Sequence, residues 1–286
     1  MQQAPLENTP QDFNLFCKSA SAFEELQKTP HYGIFLLVGS GEITLDFTKY
    51  KFSGPSLAFT SPFQSFAISL EQKKPIEGLF FHGDFYCIEY HKKEVACNGL
   101  LFNNIYKEPC FPISEELFSE IHLLLGKIKE TNNKESYSLA VIKSYLQLIL
   151  ALASEKKSRL IASSELSDQK HELSISFQNL LEQHFLVHSS PSFYAEKLSI
   201  STNTLSKKIK KELGKTPTLL IAQRLLLEAK KKLHLTRKSI KEIAFSLNFQ
   251  SEYYFSRFFK KHTGISPTEF REKVGISIVA DQSDLA

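Results

Sequence analysis

The feature that most restricts what this chain can fold into is a pattern that occurs twice. Setting Gly214 against Gly264, an offset of 50, pairs Leu205 with Phe255, Ser206 with Ser256, Lys207 with Arg257 and Ile209 with Phe259. It also pairs Lys210 with Lys260, Lys211 with Lys261 and Pro217 with Pro267. Upstream the offset is 49, with Ala195 against Ala244 and Leu198 against Leu247, so the turn of the second copy holds one extra residue. A duplicated supersecondary unit is therefore expected, each copy a short helix, a tight turn and a longer helix.

The local signals agree. The serines of "SSPSFYAEKL" supply an N-cap before Pro191, which suits the first helical position. "SIKEIAFSL" opens with Ser239 and has Glu242 three residues later, the pattern of a capping box. In "SEYYFSRFFKKHTGISP" the residues Phe255, Phe258, Phe259 and His262 share one helical face, predicted to be buried. Leu205, Ile209 and Leu213 form the matching face of the first copy.

The opposite faces carry the candidate site. In the first copy these residues are Ser201, Thr202, Asn203, Ser206, Lys207, Lys210 and Lys211; in the second, Ser251, Glu252, Tyr253, Ser256, Arg257, Lys260 and Lys261. Asn, Arg and Glu can pair with adenine, guanine and cytosine edges in a major groove, while lysines suit phosphates. In a helix-turn-helix the N-terminal part of the second helix meets the bases, which is where the Asn, Glu, Tyr and Arg fall.

Charge separates the chain into two parts. Residues 191–275 hold 18 Lys+Arg and 7 Asp+Glu, a net of +11, and the remainder of the chain is net −7, together giving the +4 of the whole. A basic C-terminal third points to a polyanionic partner, although a solvated basic face would show the same charge. Between the copies, "PTLLIAQRLLLEAKKKLHL" has Leu219, Ala222, Leu226, Ala229 and Leu233 at helical spacing, with Arg224–Glu228 and Glu228–Lys232 at i,i+4. One continuous helix of about 18 residues would span roughly 27 Å. That approaches the separation of roughly 34 Å between successive major-groove faces.

The front of the chain reads differently. From about residue 31 to 102, β-branched and aromatic runs are cut by turn residues at Gly39–Gly41, Ser53–Pro55, Lys74–Pro75, Gly83–Asp84 and Asn98–Gly99. Five to seven short antiparallel strands in a sandwich or barrel are expected. Ile113, Leu117, Ile121, Leu124 and Ile128 then predict one helix, and Leu139, Ile142, Leu146, Ile149 and Ala153 a second. The second carries further apolar residues at Val141, Tyr145, Leu148 and Leu152, which suit either burial within the domain or packing against a second subunit. The polar stretch after it reads as a linker.

The expected organisation is thus α+β: a domain over 1–155 (strands about 31–102, helices about 113–153), a linker over 156–173, an all-α double helix-turn-helix domain over 174–275, and a tail over 276–286. The cysteines Cys17, Cys87, Cys97 and Cys110 lack a CxxC or framework spacing, which suggests reduced thiols in a cytoplasmic protein. "MQQAPLENTPQDFNLF" does not read as a signal peptide, and "SYLQLILALAS" is too short to cross a bilayer.

Residues from about Phe177 to Lys273 resemble the DNA-binding domain of the AraC/XylS family of transcription regulators. The resemblance rests on "YAEKLSISTNTLSKKIKKELGKTP", "RLLLEAKKKL" and "SIKEIAFSLNFQSEYYFSRFFKKHTGISPTEFR", closed by Arg271. Asn248 departs from the glycine frequent in that turn; Asn tolerates a left-handed φ. The resemblance implies a cupin-like N-terminal domain for sensing or dimerisation. His31, His82 and His91 form no H-x-H cluster, so no metal and no cofactor are expected. The partners expected are duplex DNA at a promoter or operator, with RNA polymerase, a small-molecule effector and a second copy of the chain as further candidates, and no membrane. The competing classes are a cupin-type enzyme and a nonspecific nucleoid-binding protein. No P-loop, GxGxxG or paired-acid constellation favours the enzyme, and Glu252, which phosphates would repel, speaks against a purely electrostatic binder.

Overall fold

The computed structural model describes residues 13–46, 48–72, 74–86, 88, 99–132, 138–167 and 172–276. The chain divides into two compact units. The first comprises residues 1–102 and 109–158, the second residues 103–108 and 159–286.

Eight strands are described in the first unit: β1 (Phe13–Ser19), β2 (Tyr32–Leu37), β3 (Gly41–Leu45), β4 (Thr48–Phe52), β5 (Ser56–Thr60), β6 (Phe66–Leu70), β7 (Pro75–Phe81) and β8 (Cys110–Pro112). They form a five-stranded sheet in the order β1-β7-β2-β5-β8 and a three-stranded sheet in the order β4-β3-β6. The pairings are antiparallel, and Phe16, Phe23, Phe35, Leu37, Ile43, Leu45, Phe66, Ile68 and Ile76 from both sheets and the turn after β1 share one core. Gly78 lies where β7 meets β2; a Cβ there would stand 2.0 Å from the Ile34 carbonyl oxygen, so a side chain would break the ladder.

The strand region differs from the expectation at both ends. β1 precedes residue 31 and pairs along its whole length with β7, from Phe13 opposite Phe81 to Ser19 opposite Pro75. Its alternation is weak, because several of its side chains face solvent, and only the partner strand defines it. The turn expected at Gly83–Asp84 follows β7, where the N–H groups of Phe85 and Tyr86 both donate to the His82 carbonyl, but at the far end β8 lies beyond residue 102. Residues 89–98, including His91 and Cys97, lie outside the described residues, as does Cys87. His31 and His82 meet edge to face at 5.8 Å between ring centroids, and among the described residues no group of three or more His, Cys, Asp or Glu is placed to hold a metal ion.

Two helices follow, α1 (Glu115–Asn132) and α2 (Ser138–Ser167). Ile121, Leu124, Ile128, Ile142, Leu146, Ile149 and Ala153 are buried as their spacing predicts, whereas Leu117 is only half-buried and Leu139 is 48% exposed; Ile113 is buried but lies just before α1 and not in it. Val141 and Leu148 are also exposed, so the second apolar stripe of α2 is not consumed by its own domain. The expected linker is largely helical. α2 continues through "EKKSRLIASSELS" to Ser167, because that stretch has no Gly or Pro and is built mostly of good helix formers. The division between the units falls at Ser158–Arg159, within this helix. No helix among the described residues is long and apolar enough to cross a membrane.

The second unit is helical: α3 (Glu172–His184), α4 (Pro191–Lys197), α5 (Thr202–Leu213), α6 (Pro217–Leu235), α7 (Ile240–Ser246), α8 (Glu252–Thr263) and α9 (Pro267–Val274). The duplicated pattern is therefore α4–α5 with the start of α6, and α7–α8 with α9.

Candidate nucleic-acid interface

The two copies are built by the same local devices. Ser201 and Ser251 cap α5 and α8, accepting from the backbone N–H of Thr204 at 3.2 Å and Tyr254 at 3.4 Å. Thr216 and Ser266 cap α6 and α9 in the same way, each ahead of a proline at the first turn. Gly214 and Gly264 close the two longer helices at φ 68° and 89°, the left-handed region that glycine enters without strain. In the turns, Ser199 (φ 54°) and Asn248 (φ 62°) are the left-handed residues. Ile200 N donates to Ala195 O and Phe249 N to Ala244 O, both at 3.0 Å. The turns match through Ile200 and Phe249, so the extra residue of the second copy is Gln250.

The capping box at α7 forms in full. Ser239 Oγ accepts from Glu242 N at 3.2 Å and Glu242 Oε2 accepts from Ser239 N at 2.7 Å. Hydrogen bonds from Ser239 hold the Glu242 carboxyl below its ordinary range. A depressed carboxylate pKa contributes stability above the unfolded value and loses it as pH falls through the folded value. Ser239→Ala is expected to cost about 0.5–2 kcal/mol near neutral pH. The difference in melting temperature from wild type should narrow in acid, below the ordinary glutamate range, where Glu242 protonates; a pH-independent difference contradicts this assignment.

Behind each outer face lies a core with matching slots. Leu205, Ile209 and Leu220 of the first lobe occupy the places of Phe255, Phe259 and Phe270 in the second, and all are buried. In the second lobe the rings touch directly, Phe255–Phe259 at 5.9 Å and Phe259–Phe270 at 5.2 Å between centroids. Phe258 and His262, expected to be buried, are only half-buried: their rings pack on each other and Phe258 also packs on Phe249, at the margin of the core. Leu213 is likewise half-buried.

None of the candidate contact residues is buried. Thr202, Asn203, Lys207, Lys210 and Lys211 on α5, Ser201 before it, and Glu252, Tyr253, Arg257, Lys260 and Lys261 on α8 are exposed; Ser206, Ser251 and Ser256 are half-exposed. Ser201 and Ser251 are committed as caps, so the helix ends claim their hydroxyls. At 100° per residue, the direction opposite the core is occupied by Asn203, Lys207, Lys210 and Lys211 in one copy and by Tyr253, Arg257, Lys260 and Lys261 in the other, position for position. Tyr254, 54% exposed, lies at the edge of this face beside Lys261 and lines a cavity of about 240 Å³ with Phe185, Leu225, Leu247 and Phe249.

The connector α6 is one unbroken helix of 19 residues, about 28 Å long at 1.5 Å per residue. Its buried positions differ from the single stripe read from sequence. Leu220 and Ile221 are buried near its start and Ala229, Leu233 and His234 near its end, while Leu219, Ala222 and Leu226 are half-exposed. The helix serves two cores in turn, so its buried face rotates along its length. Arg224 pairs with Glu228 as expected and also with Glu182 of α3, at 2.8 Å, with its guanidinium 3.9 Å from the Phe185 ring centroid. Arg271 donates to Leu233 O at 3.2 Å and Lys238 O at 2.7 Å, which ties the end of α6 and the following loop to α9. Burial pulls the Arg271 guanidinium below its usual range. Arg271 therefore acts in the fold, not at the outer face.

Tandem helix-turn-helix units held on a common helix, each presenting a polar and basic face, define a double helix-turn-helix domain. Residues 194–273 match the family described as a helix-turn-helix domain. The chain is similar to the HTH-type transcriptional activator RhaS of Escherichia fergusonii, at 26% identity over 162 residues, which are 56% of each chain. It thus spans about half the length of the curated relatives it matches. Among solved structures it is similar to the C-terminal domain of the two-component response regulator yesN from Fusobacterium nucleatum, at 32% identity and a TM-score of 0.32, covering 33% of this chain and 93% of that one. It is also similar to an apo ToxT variant from Vibrio cholerae, at 16% identity and a TM-score of 0.43, covering 93% of this chain and 99% of that one.

Proposed function

We propose that this protein is a sequence-specific DNA-binding transcription regulator that places α5 and α8 in successive major grooves on one face of a duplex. The observation that carries this reading is the repetition at an offset of 50: Asn203, Lys207, Lys210 and Lys211 are exposed at the positions where Tyr253, Arg257, Lys260 and Lys261 are exposed. A solvated surface has no reason to keep cations in the same places twice. The likeness to RhaS supports the same reading, as that relative is named a transcriptional activator.

In this reading Asn203, Ser206, Glu252, Tyr253, Ser256 and Arg257 meet base edges, and Lys207, Lys210, Lys211, Lys260 and Lys261 meet phosphates. The N-terminal domain serves effector sensing or association with a second copy. The exposed Val141 and Leu148 of α2 favour association, which sedimentation of the full chain decides. The protein acts in the cytoplasm, at promoters or operators, in contact with RNA polymerase.

Anisotropy titration of the full chain against promoter fragments tests the reading. A preferred fragment should bind about 10³-fold or more tighter than bulk DNA at physiological salt. The slope of log affinity against log salt should correspond to several phosphate contacts. Equal affinity for all fragments, with salt dependence alone, would leave a nonspecific binder.

A further inference from the structure

The internal repeat provides its own control: where the copies differ without an evident reason, one of them has acquired a separate task. Lys215 is such a place. It follows Gly214 at the elbow between α5 and α6, and its counterpart after Gly264 is Ile265. Lys215 is 8% exposed, and its Nζ donates to the backbone oxygen of Ile105 at 2.8 Å. A buried ammonium needs acceptors, and this one is supplied by a segment about a hundred residues earlier in the chain.

That segment, residues 103–108, belongs to the helical unit although the residues on both sides of it belong to the β unit. Within the helical unit, Ile105 and Tyr106 pack on the first-lobe core of Phe177, Leu181, Tyr194, Leu205 and Ile209. The Tyr106 hydroxyl donates to Glu182 Oε1 at 2.7 Å, and Glu182 also receives Arg224. Burial and the Glu182 carboxylate push the Tyr106 phenol far above its usual value, so it stays a donor throughout the physiological range. Asn104 Oδ1 accepts from the N–H groups of Tyr106 at 2.9 Å and Lys107 at 2.8 Å, which fixes the segment as a turn.

Volume gives the segment a purpose. Leu205, Ile209 and Leu220 are smaller than the Phe255, Phe259 and Phe270 that fill the same slots in the second lobe. The first lobe makes up material with side chains from outside the duplicated unit, among them Ile105 and Tyr106. Both flanks of the segment are tied within the β unit to one residue of β5. The Phe102 ring lies edge to face with Phe59 at 5.3 Å, and Phe59 N donates to Pro109 O at 3.1 Å.

We propose that residues 103–108 are a strap that positions the first recognition helix, α5, with Ile105, Tyr106 and Lys215 as positioning residues that touch no DNA. α8 packs instead on rings of its own lobe, Phe255 against Phe249 and Phe259 against Phe270. Such a strap deepens the proposed function, on whose assignment of α5 as a recognition helix it rests, by making one half-site of the operator conditional.

Hydrogen exchange on the full chain without DNA tests the strap independently of any DNA reading. In the double variant Ile105→Ser, Tyr106→Ser, amides of α5 should exchange about tenfold or more faster while those of α8 stay within about twofold of wild type. The conservative pair Ile105→Val, Tyr106→Phe should restore most of the protection. Unchanged exchange in α5, or an equal rise in α8, overturns the proposal. Should the double variant fail to fold, Lys215→Ile, which copies the second lobe, should raise exchange about threefold in α5 alone; no change sinks the idea. On a selected operator, the variant's lost affinity should be confined to bases in one half-site. A loss spread over both halves contradicts the strap, whereas a wild-type chain with no preferred operator contradicts the parent reading.

Discussion

Phe259→Ala is expected to remove about 3–5 kcal/mol of stability from the second lobe. The side chain is fully buried, and its ring meets both Phe255 and Phe270, so truncation leaves a hole bordered by two other rings from α8 and α9. Rings wedged between helices cannot collapse into such a space without moving a helix. A typical domain is stable by only about 5–15 kcal/mol, so the loss takes most of the reserve of a small helical lobe. Urea unfolding followed by far-ultraviolet circular dichroism should show an early transition absent from wild type. The matching change in the first lobe, Ile209→Ala, removes a smaller side chain and should cost about 2–5 kcal/mol. If Phe259→Ala unfolds at the wild-type midpoint, the assignment of the aromatic layer as the second lobe's support is wrong.

The second large effect concerns recognition. Arg257 stands at the centre of the exposed face of α8, one turn from its N-terminal end, where a guanidinium can make two hydrogen bonds to a guanine edge. Arg257→Ala should cost about 1–3 kcal/mol on the preferred operator and relax the preference at about one base pair. Lys260→Ala, one turn further along, should weaken all sequences alike and reduce the salt slope by about one. The two variants are a matched pair, both exposed and both losing one positive charge, so simple electrostatics predicts the same result for each. Competition titrations with operators altered one base pair at a time separate them. Identical profiles would mean that α8 reads charge and shape only.

How far the sequence carries depends on the range of the forces involved. The caps at Ser201, Ser239, Ser251, Thr216 and Ser266 and the left-handed Gly214 and Gly264 are set by a few neighbouring residues, so the duplicated unit is legible in order, boundaries and outer face. The left-handed Asn248 is legible for the same reason. The phase of α6 is not, because Leu220, Ile221, Ala229 and Leu233 answer to two cores that helical periodicity merges into one stripe. β1 is visible only through β7, and the helical continuation of α2 through Ser167 looks like a linker when polarity outweighs helix propensity. Residues 103–108 lie furthest from reach. Nothing in "NNIYKE" says that its tyrosine packs on the core of Phe177 and Leu181 and donates to Glu182, over seventy residues away, or that Lys215 takes the Ile105 carbonyl. Lys215 does leave one trace, since it breaks the apolar match to Ile265 in the repeat.

The central claim is that α5 and α8, held by α6, enter neighbouring major grooves on the same side of one duplex. Hydroxyl-radical footprinting of the full chain on a selected operator measures this directly. Two protected patches should appear on one face, their centres about 10–10.5 base pairs apart. A single patch, or two on opposite faces of the helix, would contradict the account.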